Sequence, residues 1–242
     1  LIVWPGDTDN DFQVGTLDFF NVGIHFGGSG DPRNTITNAW LPQTANFWDS
    51  TMTAGSGAGL NMVYADCNGD GVINLDDTLA VQQNFASIHA MKPIQHKPAK
   101  KNEYGSIFFT SDSPIYGANQ FVTIDIHAGT SDHILEQVYG LGFDLNYSAS
   151  GIVPGSFHVQ MNDLSWVGEV TVDAIRLGAD DGNGAAHLGL CRIDHSNVSS
   201  YGVIGHITFL TSTVNGSIDL DVSTAFQTDS AGSLLDLESE PY

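Results

Sequence analysis

Positive charge is scarce in this chain. Lys and Arg number 7 against 28 Asp and Glu, for a net charge of −21. A field of that sign repels nucleic acid and anionic membrane surfaces, so neither is an expected partner. Cysteine is nearly absent too, with Cys67 and Cys191 the only thiols. Two thiols make no disulfide framework. They leave either one bridge between distant parts of the chain or two unpaired groups. No stretch approaches the ~20 apolar residues of a membrane span. An initiator Met and a signal peptide are both missing, which reads as a processed or partial piece of a longer chain. Also missing are His-Glu-x-x-His, Gly-x-Ser-x-Gly and a phosphate loop. The nine histidines are scattered, and the expectation is a protein that is not an enzyme.

What is there divides by texture. Hydrophobic residues make up 41% of the 242, enough for a buried core in one large domain or two small ones. The segment Lys92-Pro-Ile-Gln-His-Lys-Pro-Ala-Lys-Lys101 holds four of the seven cations. Pro93 and Pro98 disfavour helix, so residues 92–103 read as an extended basic linker. Before it, residues 1–91 offer two helices. One carries Phe19, Phe20, Val22, Ile24 and Phe26 and stops at Gly27-Gly28. The other places Val81, Phe85 and Ile88 on one face. The polar stretch 27–65 between them is long for a structureless loop, and Trp40, Phe47 and Trp48 are expected to pin it to the core. After the linker, residues 104–242 alternate apolar and polar at Phe121–His127, Leu141–Tyr147 and Ile218–Val222, with a further strand at Gly202–Leu210. That pattern reads as an all-β sandwich. The expected fold class is therefore α+β and multidomain.

Two Asp-rich loops carry the chemistry. The second reads Asp66-Cys-Asn68-Gly-Asp70-Gly71-Val72-Ile73-Asn74-Leu-Asp76-Asp77. Oxygen side chains stand at positions 1, 3 and 5, with Gly71 at 6, the Val72 carbonyl at 7 and Asp77 at 12. Ca²⁺ takes six to eight hard oxygens, and a chain wrapped around a small sphere presents alternate residues inward. Ile73, at position 8, is expected to pair with the other loop. The first loop, Asp7-Thr-Asp9-Asn-Asp11-Phe12-Gln13-Val14-Gly15-Thr-Leu-Asp18, offers Asp7, Asp9, Asp11, the Gln13 carbonyl and Asp18 in the same register. Phe12 replaces the glycine at position 6. A left-handed turn there costs a non-Gly residue roughly 1–2 kcal/mol, so this site is expected to be weaker or distorted. Two bound Ca²⁺ are the expected cofactors. A third site in Asp180-Asp-Gly-Asn183 is a minor alternative to a solvated turn.

Val3-Trp-Pro-Gly-Asp-Thr-Asp-Asn-Asp, Trp40…Gln43…Trp48, Tyr64-Ala-Asp-Cys-Asn-Gly-Asp-Gly and Gln83-Asn-Phe…His89 together resemble dockerin-type regions of secreted Bacteroidota cell-surface proteins. The resemblance covers residues 1–91. It departs from cellulosomal dockerins in spacing, since Asp7 and Asp66 are 59 residues apart. Gly140-Leu-Gly-Phe-Asp-Leu-Asn-Tyr147, Ser165-Trp-Val-Gly168 and Arg192-Ile-Asp194…Gly202–Phe209 resemble a cohesin-like or jelly-roll β-sandwich. These resemblances imply an extracellular or cell-surface, calcium-stabilised structural protein, a subunit of a fibre, sheath or adhesin. Its modules either pack on each other or join successive copies head to tail. Its partner is then itself or another secreted protein. A glycan- or protein-binding module of a larger secreted protein is the alternative. Asp49-Ser50-Thr51 and Asp229-Ser230-Ala231 resemble the O-glycosylation signal of such bacteria, which makes Ser50 and Ser230 candidates for modification.

Overall fold

A computed structural model describes residues 1–90, 100–180 and 184–239, with backbone alone over 100–104. Residues 92–99 of the expected linker and 181–183 of the minor calcium alternative lie outside the described residues. The linker's far boundary moves, because Lys100 already starts a strand.

In chain order the first half holds β1 (Ile2–Val3), α1 (Thr16–Ile24), β2 (Gln43–Thr44), a short 3₁₀ turn at Met62–Tyr64, and α2 (Leu75–Gln83). The second half holds strands only: β3 (Lys100–Ser111), β4 (Phe121–Ala128), β5 (Leu135–Val138), β6 (Gly140–Ala149), β7 (His158–Met161), β8 (Ala174–Asp180), β9 (Ala185–Arg192), β10 (Val198–Ser200), β11 (Gly202–Leu210), β12 (Ile218–Thr228) and β13 (Leu234–Ser239). Nine of them run in the order β7-β11-β4-β3-β13-β12-β6-β9-β8. All pairs are antiparallel except β3–β13. The register of that parallel pair shifts between Asp236 and Glu238.

The ribbon folds into a sandwich because both halves have an apolar face. Ile107, Ile124, Ile126, Ile207 and Phe209 from one half meet Leu141, Phe143, Leu145, Leu188, Leu190 and Leu220 from the other in a single core. β4 shows the cause: Val122, Ile124, Ile126 and Ala128 are buried, and the residues between them are not. Period-two alternation puts one set inside and the other in water.

Part of the outer face of β12-β6-β9-β8 is covered as well, while Asn146, Ser148, Asp219 and Asp221 stay exposed on it. Tyr139, Ile175, Leu177 and Cys191 share a second core with Phe19, Phe20, Val22 and Ile24 of α1 and with Ala80 and Val81 of α2. The core of the first half, which also holds Val3, Val14, Trp48, Met52, Val63 and Ile73, is therefore continuous with this face of the sandwich. Outward positions on β6 are small to admit the helix. A Cβ on Gly142 would stand 2.6 Å from Thr16 Cγ2 and 3.2 Å from Phe20 Cζ. Gly23 answers from the helix side, where a methyl would collide with Cys191 Sγ. The buried Tyr139 hydroxyl donates to the Gly23 carbonyl at 3.1 Å. His187 pairs with Asp144 at 2.6 Å on the same outer face, and Phe85 stacks on its ring.

Two details differ from the sequence reading. α2 ends at Gln83, so Phe85 and Ile88 lie beyond the helix. Asn84 caps it, and its side-chain amide donates to Pro5 O and Asn38 O, which turns the tail away. In the stretch 27–65, Trp48 is buried and its indole donates to Asp31 O at 3.0 Å. Phe47 is not a pin: it is 70% exposed.

Candidate metal centre

Each Asp-rich loop opens a helix by the same local rule. Asp18 is the third residue of α1, and its Oδ2 accepts the Gly15 N–H at 2.7 Å. Asp77 occupies the third position of α2, and its Oδ2 accepts the Asn74 N–H, also at 2.7 Å. An acid at this position satisfies amides that a helix N-terminus leaves unpaired. The other oxygen of each reaches back into its loop, to Asp9 N at 3.2 Å and to Asn68 N at 3.0 Å. Position 12 thus closes the loop and caps the helix together.

The inner turns match residue for residue. Phe12 N donates to Asp7 Oδ2 at 3.3 Å, as Gly71 N does to Asp66 Oδ2 at 3.2 Å. Gln13 N and Val72 N donate to Asp11 and Asp70, each at 2.9 Å. Phe12 adopts φ +80°, beside +93° at Gly71. The turn of the first loop is therefore not distorted. Phe12 accepts the left-handed backbone, and its ring meets His89 edge-on at 5.0 Å.

The carboxylates fit a hard cation. Asp7, Asp9 and Asp11 each place one oxygen within 4.8 Å of the others. Among the described residues no other trio of acids, cysteines or histidines is so gathered. Asp70 instead meets an amide, accepting from Asn68 Nδ2 at 3.1 Å. Asp7, Asp18, Asp66 and Asp77 are all buried. Burial raises Asp9 to about 6, with Asp11 adding repulsion. It raises Asp77 to about 7 and drives Asp18 well above the carboxylate range, with Asp9 and Asp7 reinforcing it. Buried acids are costly unless paired or bound to metal. Protein cations supply little of that pairing. Arg33, itself buried, donates to the backbone carbonyls of Asp66 and Cys67 at 2.6 and 2.7 Å, not to the Asp66 carboxylate. His89 Nε2 lies 2.7 Å from Asp7 Oδ2, and its ring stacks on Trp4 at 4.5 Å. Oxygen-only donors suit Ca²⁺ rather than a softer ion.

The loops do not pair with each other, contrary to the expectation for Ile73. Each is clasped by the tail that follows the other loop's helix. Val14 N donates to Ser87 O at 3.0 Å, Ala86 N to Val14 O at 2.9 Å and His89 N to Phe12 O at 3.1 Å. Ile73 N donates to Gly28 O at 2.8 Å, Gly27 N to Ile73 O at 2.8 Å and Gly30 N to Gly71 O at 3.0 Å. Every bond in one set maps onto the other by the 59-residue spacing of Asp7 and Asp66. The bonds flank Gln13 and Val72 and leave their own carbonyls out of the ladder. Sequence reasoning missed Arg33, which lies outside both loops, and the clasp. The signal for the clasp was the 59-residue repeat carried past the helices, where Gly27 matches Ala86, both at positive φ.

Cys67 and Cys191 are both free and buried, so the bridge is not formed. Cys67 lies in the second loop, while Cys191 faces Gly23; burial pushes both thiols up. Ser50 is half-buried, with its hydroxyl 3.5 Å from the Met62 sulfur. Ser230 is half-buried in the turn between β12 and β13. Among the described residues no helix is long and apolar enough to cross a membrane.

No protein-family model matches the chain, and no curated protein matches it. Among solved structures it is similar to cohesins. A type I cohesin–dockerin complex from Clostridium thermocellum matches at 10% identity and TM-score 0.45, over 60% of this chain and 95% of that one. The sixth cohesin of scaffoldin B from Acetivibrio cellulolyticus, in complex with a Cel5 dockerin mutant, matches at 14% identity and TM-score 0.41, over 57% and 94%. A non-cellulosomal cohesin from Archaeoglobus fulgidus matches at 14% and 0.39, over 57% and 86%. The sandwich itself is defined by the strand order and the shared core.

Proposed function

We propose that this is a non-enzymatic, extracellular structural or assembly protein in which two Ca²⁺ ions lock a dockerin-like first half onto a cohesin-like sandwich. The observation that carries the reading is the union of loop and seam. The carboxylates of Asp18 and Asp77 start the two helices whose apolar faces complete the second core. An ion held by Asp7, Asp9, Asp11 and the Gln13 carbonyl, with Asp18 closing the loop, offsets repulsion among buried acids. Asp66, Asn68, Asp70, the Val72 carbonyl and Asp77 serve the second ion. The bound ions supply charge and geometry, and the protein's own residues do the rest.

Of the two arrangements open to such modules, packing within one molecule is the one this seam supports. The outer face of β9 and β8 meets the chain's own helices, so a head-to-tail contact through that part requires exchange of first halves between copies. The partner is then another secreted protein, or another copy, engaged elsewhere on the surface. The glycan alternative gains nothing from the uncovered outer face of β4, which carries Phe121, Thr123, Asp125 and His127 rather than a row of aromatics. Chelation of calcium tests the proposal, because it should lower the melting temperature of the whole chain.

A further inference from the structure

Asp31-Pro32 is the one Asp-Pro pair in the chain. We propose that the folded protein cuts itself at this bond, with the Asp31 carboxylate as nucleophile and the Trp48 indole as donor to the developing oxyanion.

The bond is open to water, since Asp31 and Pro32 are both exposed. Among the described residues the Asp31 carboxylate has no hydrogen-bond or ion-pair partner, so it is free to turn on its own backbone carbonyl. That carbonyl already accepts the N–H of the buried Trp48 at 3.0 Å. The indole is pressed onto this turn, where a Cβ on Gly30 would stand 2.2 Å from Trp48 Cδ2. The backbone on either side is anchored. Gly30 N donates to Gly71 O at 3.0 Å, and Arg33 N donates to Gly69 O at 2.9 Å. A fixed donor aimed at a carbonyl held between anchored neighbours needs no reorganisation when charge develops there.

The reaction is an acyl transfer within one residue. Asp31 Oδ adds to the Asp31 carbonyl carbon and closes a five-membered ring, with nucleophile and electrophile already joined. The negative charge moves onto Asp31 O, where Trp48 Nε1–H holds it. Collapse breaks the bond from Asp31 C to Pro32 N. The electron pair stays on Pro32 N, which takes a proton from water; as a tertiary amide nitrogen it is the more basic leaving group. A cyclic anhydride remains on Asp31, and water opens it to two carboxylates. The balance is one water consumed, with no oxidant or reductant. Both new ends stay in place. The bridge from Ser29 to Val72 holds one, and Arg33, with its guanidinium on the carbonyls of Asp66 and Cys67, holds the other. The product is one fold made of two chains, with Pro32 as a new N-terminus.

Intact-mass spectrometry of the purified full chain provides the test, after incubation at pH 6 and 37 °C in calcium, folded or unfolded in guanidinium chloride. Two fragments, 1–31 and 32–242, are expected, with masses that sum to the parent plus one water. An Asp-Pro bond hydrolyses slowly in any acidified chain, so the comparison of folded with unfolded protein is the decisive one. One oxyanion donor is worth about 100- to 1,000-fold, so cleavage should be at least about tenfold faster in the folded chain. Asp31→Ala, at an exposed position, should abolish it. Trp48→Phe should slow it by about 100-fold. Several results overturn the proposal: no cleavage, cleavage no faster in the folded chain, fragments that persist in Asp31→Ala, or an unchanged rate in a folded Trp48→Phe. If Trp48→Phe fails to fold by circular dichroism, the folded and unfolded parent and Asp31→Ala decide alone.

Discussion

Replacing Gly142 by Val asks whether the first half is seated on the sandwich in solution. On an uncovered strand this change should stabilise, because Gly is entropically costly there, by roughly 0.5–1 kcal/mol, and Val suits a pleated surface. Under α1 the sign reverses. The first carbon alone would lie 2.6 Å from Thr16 Cγ2 and 3.2 Å from Phe20 Cζ, and Val adds two methyls beyond it. Phe20 cannot retreat freely, since it is buried and packs edge-on against Phe226 at 5.7 Å. Overpacking of this kind costs typically about 1–3 kcal/mol. With a urea slope of about 2 kcal/mol/M, the unfolding midpoint should fall by roughly 0.5–1.5 M. Equilibrium urea denaturation in saturating calcium, followed by far-UV circular dichroism, measures it. A midpoint that stays or rises would refute the seam.

Two further outcomes follow from buried groups. Cys67 and Cys191 should be silent to a thiol reagent in the native protein, and two thiols per chain should appear on unfolding without reductant. Labelling of the native protein would contradict their burial, and the absence of free thiol in the unfolded chain would mean a bridge. His25 is buried, with Nδ1 on Asn21 O at 2.9 Å and no partner for Nε2 among the described residues. Burial holds its pKa below 6.5, and His195 nearby adds to this. The unfolded chain then binds the proton more readily, so stability is lost as pH falls through about 6.5. In saturating calcium, the drop in melting temperature from pH 7.5 to 5.5 should be smaller in His25→Gln than in the parent. Equal drops would remove His25 from the account.

The sequence made some of this legible and hid the rest for physical reasons. Strands β4, β6, β11 and β12 stood out because period two survives wherever one face is buried. The loops stood out because ligand spacing is local. α2 was read too long, since Val81, Phe85 and Ile88 keep a helical interval although Asn84 ends the helix. Phe12 looked disruptive because its cost was visible and its contact with His89, 77 residues away, was not. The crossed clasp was hidden because backbone hydrogen bonds carry no side-chain signature. The glycines of β6 were the one overlooked clue to the seam. Gly140 and Gly142 alternate with Leu141 and Phe143, which marks an outer face that something must approach closely.

The central claim is that calcium holds the first half on the sandwich. Differential scanning calorimetry of the full chain, in millimolar calcium and then with excess chelator, tests it most directly. Ligand at a thousand times its dissociation constant stabilises by about 4 kcal/mol per site. The account predicts a melting temperature lower by several degrees or more without calcium, and its restoration when calcium is returned in excess. An unchanged melting temperature would contradict it, leaving the buried acids of both loops without the ion assigned to them.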